Sequence, residues 1–274
     1  MKHIKFKLNE KEQKLPVVGN VSYGDEVVLL EQDDNLIKST DFNHNGFSIN
    51  KFLDNESYLI FCDGIKDLMS ELILKATGIL VPKDFELEQY HHLINSDSLH
   101  AKIVAYLRDG FELQKLPIML GRIEKRVSEI CRVDVVAFNK NLKDQNFYIR
   151  VVRPDGKNDN NPPHRDVWLD YYRNCVNIYL PICGSNEDSS LPMVPGSHYW
   201  SESEIERTVG GAVVKGYTYR VPSVTNSKKN LDFVRPNPSK NQMIVFSPYL
   251  VHGGGINLNK DITRMSLEMR FFRK

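Results

Sequence analysis

The spacing of apolar positions along the chain changes character near residue 133. Upstream, the first 45 or so residues read as short strands and loops, with Val27–Leu30 a strand closed by the turn QDDN. A further strand is predicted over Phe47–Leu53. Asp54 or Asn55 then caps a helix running to Thr77, where Gly78 stops it. Leu68, Leu72 and Lys75 recur on it at helical spacing, although Gly64 weakens its middle. Segments 84–94, 97–109 and 116–131 also read as helices.

Downstream of 133 the pattern shortens to β-branched and aromatic runs broken by Pro, Gly and Asn: VDVVAF, FYIRVVRP, CVNIYLPI, LPMVP, YTYRVPSV, QMIVFSPYLV and TRMSLEMRFF. Strands at this spacing predict two facing antiparallel sheets, a cupin-like jelly roll, with the upstream helices on the outside of one sheet. The fold class expected is therefore α+β. In the last run Met265, Leu267, Met269 and Phe271 share one face, and Arg264, Ser266, Glu268 and Arg270 share the other. An edge strand with one wet face would look the same, so this alternation alone does not locate a site.

A length of 274 residues suits one domain, here divided into supporting strands and helices (1–132) and a jelly-roll core (133–274). Lys plus Arg total 36 against 35 Asp plus Glu, a balance that gives no electrostatic reason to expect nucleic acid or an anionic membrane surface. No apolar run reaches the roughly 20 residues of a membrane span. The N-terminus lacks the apolar stretch of a secretory signal. Cys62, Cys131, Cys175 and Cys183 are scattered, as expected of free thiols in a reducing compartment, and a cytoplasmic location is the expectation. Segment 200–240 is a candidate lid: from Lys215 to Lys240 it holds Lys215, Arg220, Lys228, Lys229, Arg235 and Lys240 against Asp232, beside the aromatic Trp200, Tyr217 and Tyr219.

Candidate chemistry centres on NPPHRDVW, residues 161–168. On an extended strand His164 and Asp166 emerge from one face, an imidazole and a carboxylate side by side. A third ligand from SPYLVHGGG, His252, would complete a set of two His and one carboxylate, which leaves three adjacent positions open on a metal and suits non-heme Fe(II). A 2-oxo acid takes two of those positions and O2 the third. Downstream, Arg264 and Ser266 share a strand face, a guanidinium fork and a hydroxyl suited to the far carboxylate of a diacid. The tripeptide HRD also occurs in protein kinases, but the Asn expected five residues on is Tyr171 here, and no glycine-rich nucleotide loop accompanies it.

Other residues are weaker candidates. Tyr148, Arg150, Asn177 and Tyr179 lie on strands able to line a cavity; Tyr148 and Asn177 are assigned to the cosubstrate and Arg150 to the substrate. Trp168, His198 and Tyr219 are further substrate candidates. Arg165 should point away from the ligands toward the surface or an outer layer. His91 and His92 should diverge as neighbours on a helix and be structural or exposed.

His164-Arg165-Asp166, His252, Arg264-Met265-Ser266 and the loop PGSHYW at 195–200 resemble the phytanoyl-CoA dioxygenase-like branch of the Fe(II)/2-oxoglutarate oxygenases. The resemblance spans roughly residues 130–272, with a fainter echo in NGFSINKFLDNESY. It implies a double-stranded β-helix, iron on His164, Asp166 and His252, and 2-oxoglutarate held by Arg264 and Ser266. The implied reaction is oxidation of a substrate with release of succinate and CO2. The resemblance names no substrate; it is the basic, aromatic segment 200–240 that suggests a small polar metabolite, sugar-bearing or anionic. Halogenating relatives carry a small residue in place of the carboxylate ligand, so Asp166 points to hydroxylation. Desaturation, ring closure and epimerisation are alternative outcomes of the same chemistry. The rival readings are a cupin-like metal-dependent isomerase or epimerase, which would have no diacid for Arg264 to hold, and a non-catalytic jelly-roll binding module.

Overall fold

The protein is described by a computed structural model covering residues 2–8, 10–31, 33–110, 116–137, 147–155, 159, 161–214 and 217–274. Helix α1, Asn55–Thr77, begins where the Asp54 side chain accepts from the Ser57 N–H (2.9 Å) and ends at Gly78 in the left-handed region. Its buried stripe is Phe61, Ile65, Leu68, Met69, Leu72 and Ile73, while Lys75 turns outward to Glu71. Gly64 has a packing reason: a Cβ there would lie 2.2 Å from the Pro117 Cβ. Helices α2 (Tyr90–Leu93), α3 (Asp97–Gly110) and α4 (Leu120–Cys131) follow. No helix among the described residues is long and apolar enough to cross a membrane.

The α+β class is as expected, and the strands are almost all antiparallel. A six-stranded sheet contains β4 (Phe47–Lys51), β13 (Gln242–Phe246), β7 (Cys175–Cys183), β14 (Arg264–Arg273) and β5 (Val135–Val136) in that order, with β6 (Phe147–Val152) also paired to β14. Met265, Leu267, Met269 and Phe271 of β14 join the helices' apolar stripes in one large core. Each such fully buried side chain contributes roughly 1.5–3 kcal/mol. The helices therefore cover one face of this sheet, leaving Arg264, Ser266, Glu268 and Arg270 on the other. Strand β14 is flanked on both sides and so is not an edge strand, and the burial of Arg264 and Ser266 makes that polar face an interior wall.

A five-stranded sheet joins β10 (Tyr217–Tyr219), β9 (Ala212–Val214), β2 (Lys11–Val18), β1 (Lys2–Leu8) and β12 (Asp232–Phe233). A third sheet holds β11 (Val224–Ser227), β8 (Ile205–Thr208) and β3 (Val21–Tyr23). Several expectations need correction here. Strands from the first 51 residues pair with strands beyond 204, so a division at residue 132 does not separate supporting from core strands. Val27–Leu30 forms no strand; its residues run as irregular chain beside Glu202, and Gln32 of the expected turn lies outside the described residues. Segment 200–240 is largely woven into the two smaller sheets. Three of its basic residues are also engaged: Lys229 pairs with Glu204 (3.0 Å), Lys228 sits over Tyr23 (5.2 Å), and Arg235 is buried. Lys215 lies outside the described residues.

Candidate metal centre and cosubstrate cavity

His164 and His252 are brought side by side by a short antiparallel bridge, each backbone N–H donating to the other's carbonyl (2.8 and 2.9 Å). Arg165 continues extended, and Asp166 then opens a short 3-10 turn, Asp166–Trp168, placing its carboxylate back over the imidazoles. The His164 Nε2 is 3.2 Å and the His252 Nε2 3.7 Å from Asp166 Oδ1, and all three side chains are buried. Gly253, with φ at +100°, permits this approach: a Cβ there would lie 2.6 Å from the Pro162 carbonyl and 3.0 Å from the His164 ring.

The hydrogen bonds around the trio decide which lone pairs are free. His164 Nδ1 faces the Pro162 carbonyl at 2.6 Å and His252 Nδ1 the Leu250 carbonyl at 2.9 Å. Carbonyls only accept, so both rings carry a proton on Nδ1 and leave Nε2 as an acceptor. Asp166 Oδ2 is occupied three times, by Arg270 Nε (3.0 Å), Arg270 Nη2 (2.7 Å) and Asn177 Nδ2 (2.9 Å). Burial is the largest single influence and would raise the Asp166 pKa, but the Arg270 guanidinium together with His164 and His252 more than offsets it and holds the carboxyl well below the usual range. Three potential ligand atoms, His164 Nε2, His252 Nε2 and Asp166 Oδ1, thus converge within 4.8 Å of one another. Such a set repels itself unless a cation lies between, and two imidazoles plus one carboxylate fit Fe(II).

Burial, followed by the influence of His164, pushes His252 from 6.5 down to about 4. Burial and then the charge of Arg165 do the same to His198, again to about 4. Between these values the unfolded chain binds protons that the folded protein does not, so stability must fall as pH drops from about 6.5 toward 4. Each residue contributes up to about 1.4 kcal/mol per pH unit. Urea unfolding of metal-free protein is expected to show its midpoint dropping steeply from about pH 7 to about pH 5; a flat profile would contradict the buried neutral state of both rings.

The same cavity is walled by His164, His252, Asn177, Arg150, Asn161, Arg264, Glu268 and Arg270. Arg264 is buried, donating from Nη1 to Ser266 Oγ (2.9 Å) and from Nη2 to the Gly255 carbonyl (3.4 Å). Arg150 forks onto Glu268 (3.3 and 2.9 Å) and reaches Asn161 (3.3 Å). Tyr219 lies near enough to Arg150 to favour its charged form. Tyr148 is not in the wall itself: its hydroxyl is 3.4 Å from that of Tyr172, and the two rings flank the Arg270 guanidinium at 5.5 and 4.2 Å.

Two substrate candidates sit elsewhere. Trp168 donates to Glu202 (2.9 Å) beneath Arg207, whose guanidinium lies 4.7 Å from the ring centroid. His198 donates to the Asn43 carbonyl (2.8 Å) under the N-terminal loop. Arg165 is also not at the surface; it is 0% exposed and ion-paired with Glu202. Nor do His91 and His92 diverge: their rings are 4.1 Å apart and both Nε2 atoms meet Asp261 Oδ1, at 2.9 and 2.8 Å. Sequence reasoning did not single out Arg270 or the Arg165–Glu202 pair. The parity of β14 placed Arg270 on the face of Arg264 and Ser266, the one signal that pointed to it.

Two His and one carboxylate beside a sheet-backed cavity with a buried guanidinium make a donor set that could hold a metal in the facial-triad manner. The chain belongs to the phytanoyl-CoA dioxygenase family, whose model matches residues 83–266. No curated protein sequence matches it significantly. Among solved structures it is similar to AviO1 from Streptomyces viridochromogenes Tue57, with 13% identity, 84% of this chain and 91% of that one covered, and a TM-score of 0.49. EctD from S. alaskensis, solved with 2-oxoglutarate and 5-hydroxyectoine, gives 12%, 94%, 86% and 0.49. The non-heme alpha-ketoglutarate-dependent epimerase SnoN from nogalamycin biosynthesis gives 10%, 85%, 79% and 0.44.

Proposed function

We propose that the protein is an Fe(II)- and 2-oxoglutarate-dependent dioxygenase with a double-stranded β-helix core, hydroxylating a small polar metabolite. The observation that carries this reading is that His164, His252 and Arg264 open into one cavity, with Asp166 Oδ1 facing both imidazoles. Iron, when bound, would supply the chemistry that couples O2 and 2-oxoglutarate to substrate oxidation, releasing succinate and CO2.

The chain's own residues do the positioning. Arg270 and Asn177 fix Asp166 Oδ2 so that Oδ1 is left for the metal, and Tyr148 with Tyr172 holds the Arg270 plane. In this reading Tyr148 and Asn177 serve the ligand carboxylate, not the cosubstrate. Arg264 takes the far carboxylate of 2-oxoglutarate with Ser266 beside it. The Arg150–Glu268–Asn161 wall, near Tyr219, offers donors and acceptors to substrate hydroxyl or anionic groups. Trp168 and His198 have no part in substrate contact. Asp166 fills the position a halide would need, which favours hydroxylation over halogenation. The test is O2-dependent succinate formation from 2-oxoglutarate by the Fe(II)-loaded protein across a panel of polar metabolites. Substrate-stimulated succinate supports the reading; none above a metal-free control overturns it.

A further inference from the structure

Arg235 comes from the basic stretch after residue 214, yet it is 7% exposed. Its Nη2 donates to the Ile256 carbonyl (2.6 Å), the neighbour of the Gly255 carbonyl that receives Arg264 Nη2. Two guanidiniums therefore hang from consecutive carbonyls of one bend. Among the described residues neither forms an ion pair with a carboxylate, and buried Arg235 Nε, Arg235 Nη1 and Arg264 Nε have no hydrogen-bond partner. The Ser190 hydroxyl, whose backbone carbonyl flanks Gly255, is a fourth such atom. Tyr179 feels the charge of both cations, and exposed Asp188 is felt at Arg235 less strongly than Arg264 is.

An unpaired buried donor or cation is costly. Arg165 Nε and Arg270 Nη1 are also unpartnered, but each of those guanidiniums is ion-paired with a carboxylate, which, among the described residues, Arg235 and Arg264 are not. Here two cations lie close enough that burial and then the charge of Arg264 lower the Arg235 pKa to about 10. Several unmade donors and two like charges anchored on consecutive carbonyls fit a ligand with negative charge and several acceptor atoms.

We propose that Arg235 is a second guanidinium for the distal carboxylate of the 2-oxo acid, so that Arg264, Ser266 and Arg235 form a two-cation seat. This rests on the dioxygenase reading above. Arg235 is then a binding and selectivity residue: it favours 2-oxo diacids over 2-oxo monoacids and places the diacid by its far end.

The experiment measures 2-oxoglutarate binding to the Co(II)-loaded full-length protein by calorimetry, and the melting shift produced by glutarate, which keeps the diacid but lacks the keto group. R235Q is expected to weaken 2-oxoglutarate binding by about tenfold or more and to remove most of the glutarate shift, with R235K intermediate because it keeps charge without the fork. With Fe(II), the KM for 2-oxoglutarate should rise by a similar factor while kcat stays within about threefold. Ligand-free R235Q should melt no lower than wild type, since it removes an unpaired buried cation. Wild-type affinity in R235Q with loss in R264Q would overturn the role of Arg235 and leave the dioxygenase reading standing. Wild-type affinity in both variants would overturn both. A large drop in ligand-free melting temperature for R235Q and R235K alike would make Arg235 structural and overturn the proposal. So would equal protection by inorganic phosphate, which would mark a general anion seat.

Discussion

Replacing Asp166 with Ala is expected to abolish substrate-coupled succinate formation, a loss of at least about 100-fold, because it removes a ligand where loss of a supporting residue alone costs about 10–100-fold. Three consequences combine. The donor set falls from three to two, Arg270 loses the carboxylate that takes two of its N–H groups, and Asn177 loses its acceptor. Arg270 is then a buried cation facing two imidazoles, which repels any divalent ion. Asp166→Asn separates the effects, since it keeps the volume and a neutral oxygen while removing the charge. Arg270→Leu should be milder than either, within the range for a supporting residue, because Oδ1 still faces the His pair. Wild-type Fe(II) affinity in Asp166→Ala would mean that the metal, if any, sits elsewhere.

The second large effect is on stability. Glu202→Leu is expected to destabilise the protein by about 3–5 kcal/mol, the range for stranding one partner of a buried ion pair. Arg165 is fully buried between two of the metal-site residues and pairs with Glu202, while also donating to the Ser197 and Trp200 carbonyls. Glu202 in turn accepts from Trp168 and pairs with Arg207. Removing the carboxylate leaves two guanidiniums acting on each other, with only the weaker influence of Glu204 on Arg165 and of Asp25 on Arg207 as counter-charge. Replacing Arg165 by Met in the same protein should recover part of the loss, as a closed apolar pair tolerates burial better than a stranded charge. Denaturant unfolding measures both; a loss under about 1 kcal/mol in Glu202→Leu would contradict the pairing.

The residues that could be read directly from the sequence owe this to short-range geometry. His164 and Asp166 are two apart, and Arg264 and Ser266 share strand parity, so their common orientation follows from the backbone alone. Gly78 and Asp54 mark the ends of α1 through local capping, which needs no partner far away. What was not legible depends on contacts between distant segments. The alternation of β14 fixed which side chains share a face, but only its neighbours β6 and β7 show that it is not an edge strand, and only the burial of Arg264 and Ser266 shows that the polar face is enclosed. Arg165 looks outward from the ligand face, and does so into Glu202, which lies 36 residues beyond Asp166 by numbering and carries no motif. The run of basic residues after 214 suggested a candidate lid; strand pairing and the burial of Arg235 are tertiary facts. His91 and His92 converge because Asp261 is brought to both, a partner that no helical spacing reveals.

The most direct measurement is the visible spectrum of the anaerobic protein titrated with Fe(II) and then with 2-oxoglutarate. The account predicts one iron per chain and a weak charge-transfer band that appears only when both are present, that is lost in Asp166→Ala, and that needs far more 2-oxoglutarate in Arg264→Gln. A folded protein that binds Fe(II) but shows no band at saturating 2-oxoglutarate would contradict chelation of a 2-oxo acid at the His164, Asp166 and His252 centre.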